Sequence, residues 1–319
     1  DPTDVCRKYA RLTGRLDLPP LWALGYHQCR WSYYPHGRVR QLARNFREKN
    51  IPCDAIYLDI DYMDGFRCFT WDKRHFPHPK QLIDDLRELG FSTVVMIDPG
   101  IKEDPEYRVY REGMENGYFV KTADGDVAKG PVWPGFCAFP DFTHPAVRDW
   151  WGDLYAELYQ QEGVAGFWND MNVPAVFHVN HKTLPDHVMH DHDGAPCSHR
   201  KAHNVYGMLM TRASWEGFRR LQPEKRPFLL TRATFSGGQR YGAVWTGDND
   251  ATDEHMLLSA RMVTGLGLSG VSFAGPDVGG FMGNPSEKLY LRWMSMGAYT
   301  PFFRNHSAWE TRSKEPWAF

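Results

Sequence analysis

Apolar residues along this chain gather in short β-rich runs separated by stretches with helical spacing. Eight runs are bounded by glycine, proline or polar residues: Trp22 to Cys29, Ala55 to Ile60, Thr93 to Ile97, Val164 to Trp168, Phe228 to Thr231, Ala243 to Thr246, Val271 to Ala274, and Thr300 to Phe303. Between them apolar positions recur three or four residues apart over Val39 to Lys49, Pro79 to Leu89, Pro145 to Gln161, Ala202 to Leu221, Thr252 to Leu266 and Ser286 to Met296. Alternation of strand and helix predicts a parallel sheet with helices outside it, and eight strands is the number that closes a barrel. The expected fold is α/β, a (β/α)8 TIM barrel formed by residues 1–319 as one domain.

An open doubly wound sheet would alternate in the same way, but its glycine-rich phosphate turn after the first strand is missing: the residues there are Gly25-Tyr26-His27-Gln28. A barrel collects functional residues at the C-terminal ends of its strands. Polar residues follow nearly every run here: Arg30, Asp59 and Asp61, Asp98, Asp170, Arg232, Asp248, Asp277 and His306. Two connections, Pro99 to His144 and Val173 to Lys201, are too long for plain turns and predict inserted loops after strands three and four. After the eighth run only Ser307 to Phe319 remains, so a closing helix is not expected. The first residue is not Met and the last three are Trp317-Ala318-Phe319, so both ends look cut.

Composition narrows the partner. Charged residues make up 24% and the formal net charge is -2, which gives no electrostatic reason to expect nucleic acid or an anionic membrane. No apolar run approaches the ~20 residues that span a bilayer, so a soluble chain is expected. Six cysteines show neither a CxxC pair nor regular spacing and read as free thiols. Aromatic residues reach 14%; most belong in a core of this size, and the remainder suits a site that binds flat, hydroxylated rings.

Two carboxylates carry the chemistry. Gly166-Phe167-Trp168-Asn169-Asp170 and Ala243-Val244-Trp245-Thr246-Gly247-Asp248 each run from an apolar strand through a tryptophan to an aspartate. Retaining cleavage of a glycosidic bond needs one carboxylate to attack the anomeric carbon and a second group to protonate the leaving oxygen, with the carboxyl groups ~5–5.5 Å apart. Strand ends at one barrel mouth can supply that pair. Either aspartate alone would read as a helix cap or loop acceptor. Asp59, Asp61, Asp64 and Asp277 are spare rim carboxylates for sugar hydroxyls, while Arg240 and His306 are candidate donors. Trp31, Trp133, Trp168, Trp245 and Phe281 offer faces on which pyranose rings stack. The rival reading is a zinc site in the segment His178 to His203, which carries seven histidines beside Asp186, Asp191, Asp193 and Cys197. That segment has no HExxH and reads equally as a polar loop. Gly237-Gly238 is followed by Gln239-Arg240, without the Lys-Ser or Lys-Thr of a phosphate loop.

Taken together, Trp168-Asn169-Asp170-Met171-Asn172 with Pro174, Arg232-Ala233-Thr234-Phe235-Ser236-Gly237-Gly238-Gln239-Arg240-Tyr241-Gly242, Trp245-Thr246-Gly247-Asp248-Asn249, Gly275-Pro276-Asp277-Val278-Gly279-Gly280-Phe281 and Phe302-Phe303-Arg304-Asn305-His306 resemble glycoside hydrolase family 31, the α-glucosidase family. The likeness extends from Gly25-Tyr26-His27-Gln28-Cys29-Arg30-Trp31 to Glu315-Pro316-Trp317, and is strongest to glucosidase II and bacterial α-glucosidases. It implies exo-acting, retaining removal of terminal α-linked glucose from an oligosaccharide or α-glucoside, with no cofactor and no metal. It implies Asp170 as nucleophile and Asp248 as acid/base. Asp59, Arg240, Asp277 and His306 would grip the sugar, and Trp31, Ile101, Trp133, Trp168, Met171 and Phe281 would line its pocket. The family usually has Glu where this chain has Val173, and its members carry accessory β-domains, which are therefore expected in a full-length protein. An α-xylosidase or α-galactosidase, a sugar-binding module without turnover, and the zinc-dependent barrel hydrolase are the alternatives.

Overall fold

The computed structural model describes residues 1–319, and its centre is a ring of parallel strands. The strands are Tyr26–Gln28, Ala55–Leu58, Ser92–Ile97, Gly166–Asn169, Leu229–Thr231, Ala243–Trp245, a seventh in two pieces (Ala274–Gly275 and Asp277–Val278), and Phe303–Asn305. Six of the eight apolar runs contain or nearly coincide with one of them, and the seventh and eighth runs meet theirs at a single residue, Ala274 and Phe303. All are parallel to their neighbours, with Tyr26 opposite Phe303 and His27 opposite Ala55 in register. Their residues are buried on both faces, as the continuous apolar runs require.

Closure of the ring turns on Pro276. Gly275 pairs with Trp245 of the sixth strand, whereas Asp277 pairs with Arg304 of the eighth. A proline has no N–H to give to a ladder, so the seventh strand breaks there, one piece serving each neighbour. The seam of the barrel is therefore a single residue wide.

Six outer helices, His36–Glu48, Pro79–Glu88, Pro145–Leu154, His199–Leu221, Asp253–Leu268 and Glu287–Gly297, match the six helical stretches to within three residues at each end, except that the third α-helix stops at Leu154 and the remainder of its stretch is a separate π-helical segment, Glu157–Glu162. His36–Glu48 buries Val39, Leu42, Ala43 and Phe46, a stripe with the three- and four-residue spacing that faces a core. Pro145–Leu154 and His199–Leu221 cross closely because Gly152 and Gly217 meet: a Cβ on Gly217 would lie 2.5 Å from the Gly152 Cα. Alternation fails once. Between the fifth and sixth strands the chain makes only a 3-10 turn, Gly238–Arg240, and no α-helix. After the eighth strand only the 3-10 turn Pro316–Ala318 follows, and an N-terminal helix, Pro2–Thr13, was not foreseen because it buries no residue and so has no core-facing stripe to read.

Both long connections build structure over the C-terminal end of the ring. The one after the third strand contains a helix, Arg108–Glu115, and a small antiparallel sheet of Ile101–Lys102, Lys129–Val132 and Gly135–Ala138, whose tight turn carries Trp133. The one after the fourth strand carries the pair Met189–His190 and Cys197–Ser198. It is tied to the first insertion at Lys121 and Met189, and by the Phe177 N–H donating to the Pro131 carbonyl. All six cysteines are free. No helix is long and apolar enough to cross a membrane.

Candidate active site

A cavity of about 680 Å³ opens at the C-terminal mouth of the ring, under the two insertions. Asp170 is the first residue past the fourth strand. Met171 after it adopts φ 55, a left-handed turn uncommon for a side chain of this size, and the bend lets Asp170 Oδ1 accept from the Met171 N–H at 2.7 Å. The same oxygen accepts from Arg232 Nη1 at 3.1 Å. Arg232 leaves the fifth strand, the next one round the ring, and its Nη2 lies 3.7 Å from Asp248 Oδ2. One guanidinium thus reaches both candidate carboxylates and holds them at one mouth.

Their surroundings differ. The Asp170 side chain is 14% exposed and that of Asp248 is 45% exposed. Partial burial pushes the Asp248 carboxyl above its ordinary value, although the Arg232 charge pulls the other way, so its proton is retained to higher pH than on a free aspartate. Burial opposes the charge on Arg232 too, yet Asp170 and Asp248 together hold its pKa above the ordinary value. The guanidinium stays charged.

Asp59 and His306 form the floor. Asp59 follows the second strand, accepts at Oδ1 from the Ile60 N–H at 2.7 Å, and places Oδ2 3.8 Å from His306 Nε2. Burial, with the nearby Asp170 charge, drives the Asp59 carboxyl well up. Burial and the Arg304 charge drive His306 well below its usual range, which makes it a neutral imidazole. Its ring packs edge-on to Trp168, with centroids 5.2 Å apart, and against Phe281 at 4.9 Å. Trp31 meets Trp133 at 5.3 Å, and Trp133 meets Phe177 at 4.8 Å, forming an aromatic wall across the mouth. Asp59, Trp31, Trp133, Trp168, Met171, Phe281, His306 and both carboxylates all line this cavity, as expected of them.

Six expected residues sit elsewhere. Arg240 lines a separate cleft of about 360 Å³ beside the starts of the fifth and sixth strands, where its guanidinium lies over Tyr241 and Nε donates to the Gly237 carbonyl. The arginine at the mouth is Arg232, which the strand-end rule had marked as a rim residue. Asp277 is fully buried and bound to Arg304 Nη2 at 2.5 Å, the counter-ion of a guanidinium that lies 4.7 Å from the Trp168 ring. Burial raises Asp277 to about 7, against the Arg304 charge. Trp245 packs against Trp168 with centroids 5.5 Å apart, and Ile101 is fully buried in the small sheet; neither faces the cavity. Asp61 accepts from Ser32, and Asp64 pairs with Arg67 at the surface.

The histidine-rich segment is arranged as a hydrogen-bonded chain. His190 Nδ1 contacts Asp141 at 2.9 Å, His190 Nε2 contacts His199 Nδ1 at 2.9 Å, and His199 Nε2 contacts His203 Nδ1 at 3.1 Å. These three of the segment's seven histidines have every ring nitrogen but His203 Nε2 engaged in this way. Val173, singled out above as a departure from the family, lines the mouth; what the sequence reading missed there is the rest of its outer wall, Val176, Phe177, Val179 and Lys182. Only the length of the second insertion signalled it.

Comparison with known proteins agrees with this geometry. Residues 16–319 match the family model described as the glycosyl hydrolases family 31 TIM-barrel domain. The chain is 55% identical over 318 residues to alpha-glucosidase 2 of Bacillus thermoamyloliquefaciens, covering 100% of this chain and 40% of that protein. It superposes on the glucosidase II alpha subunit in its alpha3-Glc2-bound form with a TM-score of 0.95 at 40% identity, covering 99% of this chain and 34% of the other. On the family 31 alpha-glucosidase from Bacteroides thetaiotaomicron the TM-score is 0.89 at 49% identity, over 99% of this chain and 51% of that one. The chain therefore spans about a third to a half of the length of these relatives.

Proposed function

The chain belongs to glycosyl hydrolase family 31, and from that premise we propose that it is the catalytic barrel of a retaining, exo-acting α-glucosidase, with Asp170 as nucleophile and Asp248 as acid/base. The observation that carries the reading is Arg232, a single cation within 3.1 Å of Asp170 and 3.7 Å of Asp248. The names of the relatives support glucose as the sugar.

In the first step Asp170 attacks C1 from the face opposite the leaving group, and the bond from C1 to the glycosidic oxygen breaks as Asp248 gives that oxygen its proton. A covalent β-glycosyl ester results. Asp248, now a carboxylate, takes a proton from water, whose oxygen attacks C1 and frees Asp170, so the α configuration returns. The raised pKa of Asp248 suits the protonated starting state. Arg232 disperses the charge that moves between the two carboxylates. Asp59 and His306 take sugar hydroxyls at the floor, and Trp168 and Phe281 cover the ring faces. The outer wall, with Val173 in place of the usual Glu, receives the leaving group.

Asp170→Ala, made in this chain and in any longer polypeptide that carries it, tests the assignment on 4-nitrophenyl α-glucoside, α-xyloside and α-galactoside. Release of nitrophenol from the α-glucoside should fall by at least a thousandfold while the circular dichroism stays unchanged; turnover within tenfold of the parent would remove Asp170 from the role.

A further inference from the structure

Three neighbouring strands of the ring, the eighth, first and second, each deliver a metal-ligating side chain just past the strand end: His306, Cys29 and Asp59. Parallel register puts Asn305 opposite Gln28, so the residues that follow, His306 and Cys29, emerge side by side. All three are buried, and one nitrogen, one sulfur and one oxygen lie within 4.8 Å of one another. It is the one set of three such side chains in the protein to converge so closely. Asp59 Oδ2 and His306 Nε2 stand 3.8 Å apart, beyond hydrogen-bond reach, and His306 Nδ1 is buried without a partner.

Tetrahedral zinc, with bonds of about 2.0–2.3 Å to nitrogen, oxygen and sulfur, holds its ligand atoms roughly 3.3–3.8 Å apart. For a nitrogen and an oxygen the separation is about 3.3–3.5 Å, so the His306 and Asp59 atoms, 3.8 Å apart, need to close by only a few tenths of an ångström. We propose that Cys29 Sγ, Asp59 Oδ2 and His306 Nε2 form a zinc-binding site in the floor of the mouth, and that zinc and sugar exclude each other there. The first clause rests on the geometry alone; the second also rests on the proposed role of Asp59 and His306 in holding sugar. Binding forms a bond from sulfur to zinc and releases the thiol proton of Cys29 to solvent, with no change of oxidation state. Asp59 and His306 line the cavity while Cys29 lies behind them, so a metal held there would sit at the cavity floor and act as an inhibitor. Three cations, Arg304, Lys314 and Arg30, act on His306 from nearby, and the first is ion-paired with Asp277.

Protein stripped with chelator is dialysed against a series of free zinc concentrations and bound metal is read by elemental analysis, in the parent and in Cys29→Ser. One zinc per chain, with affinity at least tenfold weaker in the variant, is the expected result. Zinc below stoichiometry, or equal binding by both proteins, overturns the site. Cobalt titration of the unaltered protein gives a reading independent of whether the variant folds: a thiolate-to-cobalt charge-transfer band supports ligation by cysteine, and its absence overturns it. Adding glucose should weaken zinc binding in proportion to its concentration. Cys29-dependent zinc binding that glucose leaves unchanged would uphold the metal site while overturning its overlap with the sugar.

Discussion

Replacing Arg232 by glutamine removes the one cation shared by the two carboxylates, and the structure says how each should respond. Asp170 loses a charge-assisted hydrogen bond of 3.1 Å. Such a bond contributes about 1.5–3 kcal/mol, so kcat/KM on an α-glucoside should fall about ten- to a hundredfold. Asp248 loses a charge 3.7 Å away. At that distance Coulomb's law gives about 1 kcal/mol in water and about 4.5 kcal/mol at an effective dielectric of 20; side chains 45% and 31% exposed belong near the lower figure. The sign of the effect is fixed: Arg232 lowers the Asp248 pKa, so its removal lets Asp248 keep its proton longer, and the alkaline limb of the pH profile of kcat/KM moves up. Arg240→Gln is the control, because that side chain lies over Tyr241 in a different cleft; it should leave rate and profile unchanged. An alkaline limb that stays put or moves down in Arg232→Gln, or an equal loss in Arg240→Gln, would refute the reasoning.

Two further predictions concern groups away from the reacting atoms. Burial raises the Asp98 carboxyl from 3.8 to about 7, so folding favours its protonated form; the stability this confers is complete below pH 3.8 and is lost as pH rises towards 7. Asp98→Asn should therefore flatten the urea midpoint between pH 4 and 7 relative to the parent, and an unchanged slope would contradict it. Asp277→Ala leaves Arg304 fully buried without its counter-ion, a change that costs about 3–5 kcal/mol in unfolding free energy. A loss below about 1 kcal/mol would show that Arg304 finds another partner.

Much of this was legible because parallel strands buried on both faces leave an unmistakable apolar run, and because a barrel sends its chemistry to one end of those runs. Asp170, Asp248, Asp59 and His306 were all found at strand ends, and all reach one cavity. The errors share a cause: spacing places a residue near a rim but does not say which way its side chain points. Arg240 lies eight positions beyond Arg232, far enough round the Gly238–Arg240 turn to face another cleft. Asp277 follows Pro276 as a rim carboxylate should, yet the broken seventh strand turns it to Arg304 across the seam, a partner 27 positions away. Trp245 and Trp168 share the pattern of a strand, a tryptophan and an aspartate; only Trp168 lines the cavity, and Trp245 meets it edge-on without facing the cavity. The outer wall from Val173 to Lys182 has no periodicity to read, since contacts with the first insertion hold it, such as Phe177 to Pro131.

The account stands on a covalent glycosyl ester at Asp170. A 5-fluoro-α-glucosyl fluoride slows both chemical steps but leaves fluoride able to depart without a proton, so the ester should accumulate. Mass spectrometry of the treated protein is predicted to show one added glycosyl unit, on the peptide that contains Asp170. A label on any other residue, or no label with β-glucose as the first sugar released from an ordinary α-glucoside, would contradict it.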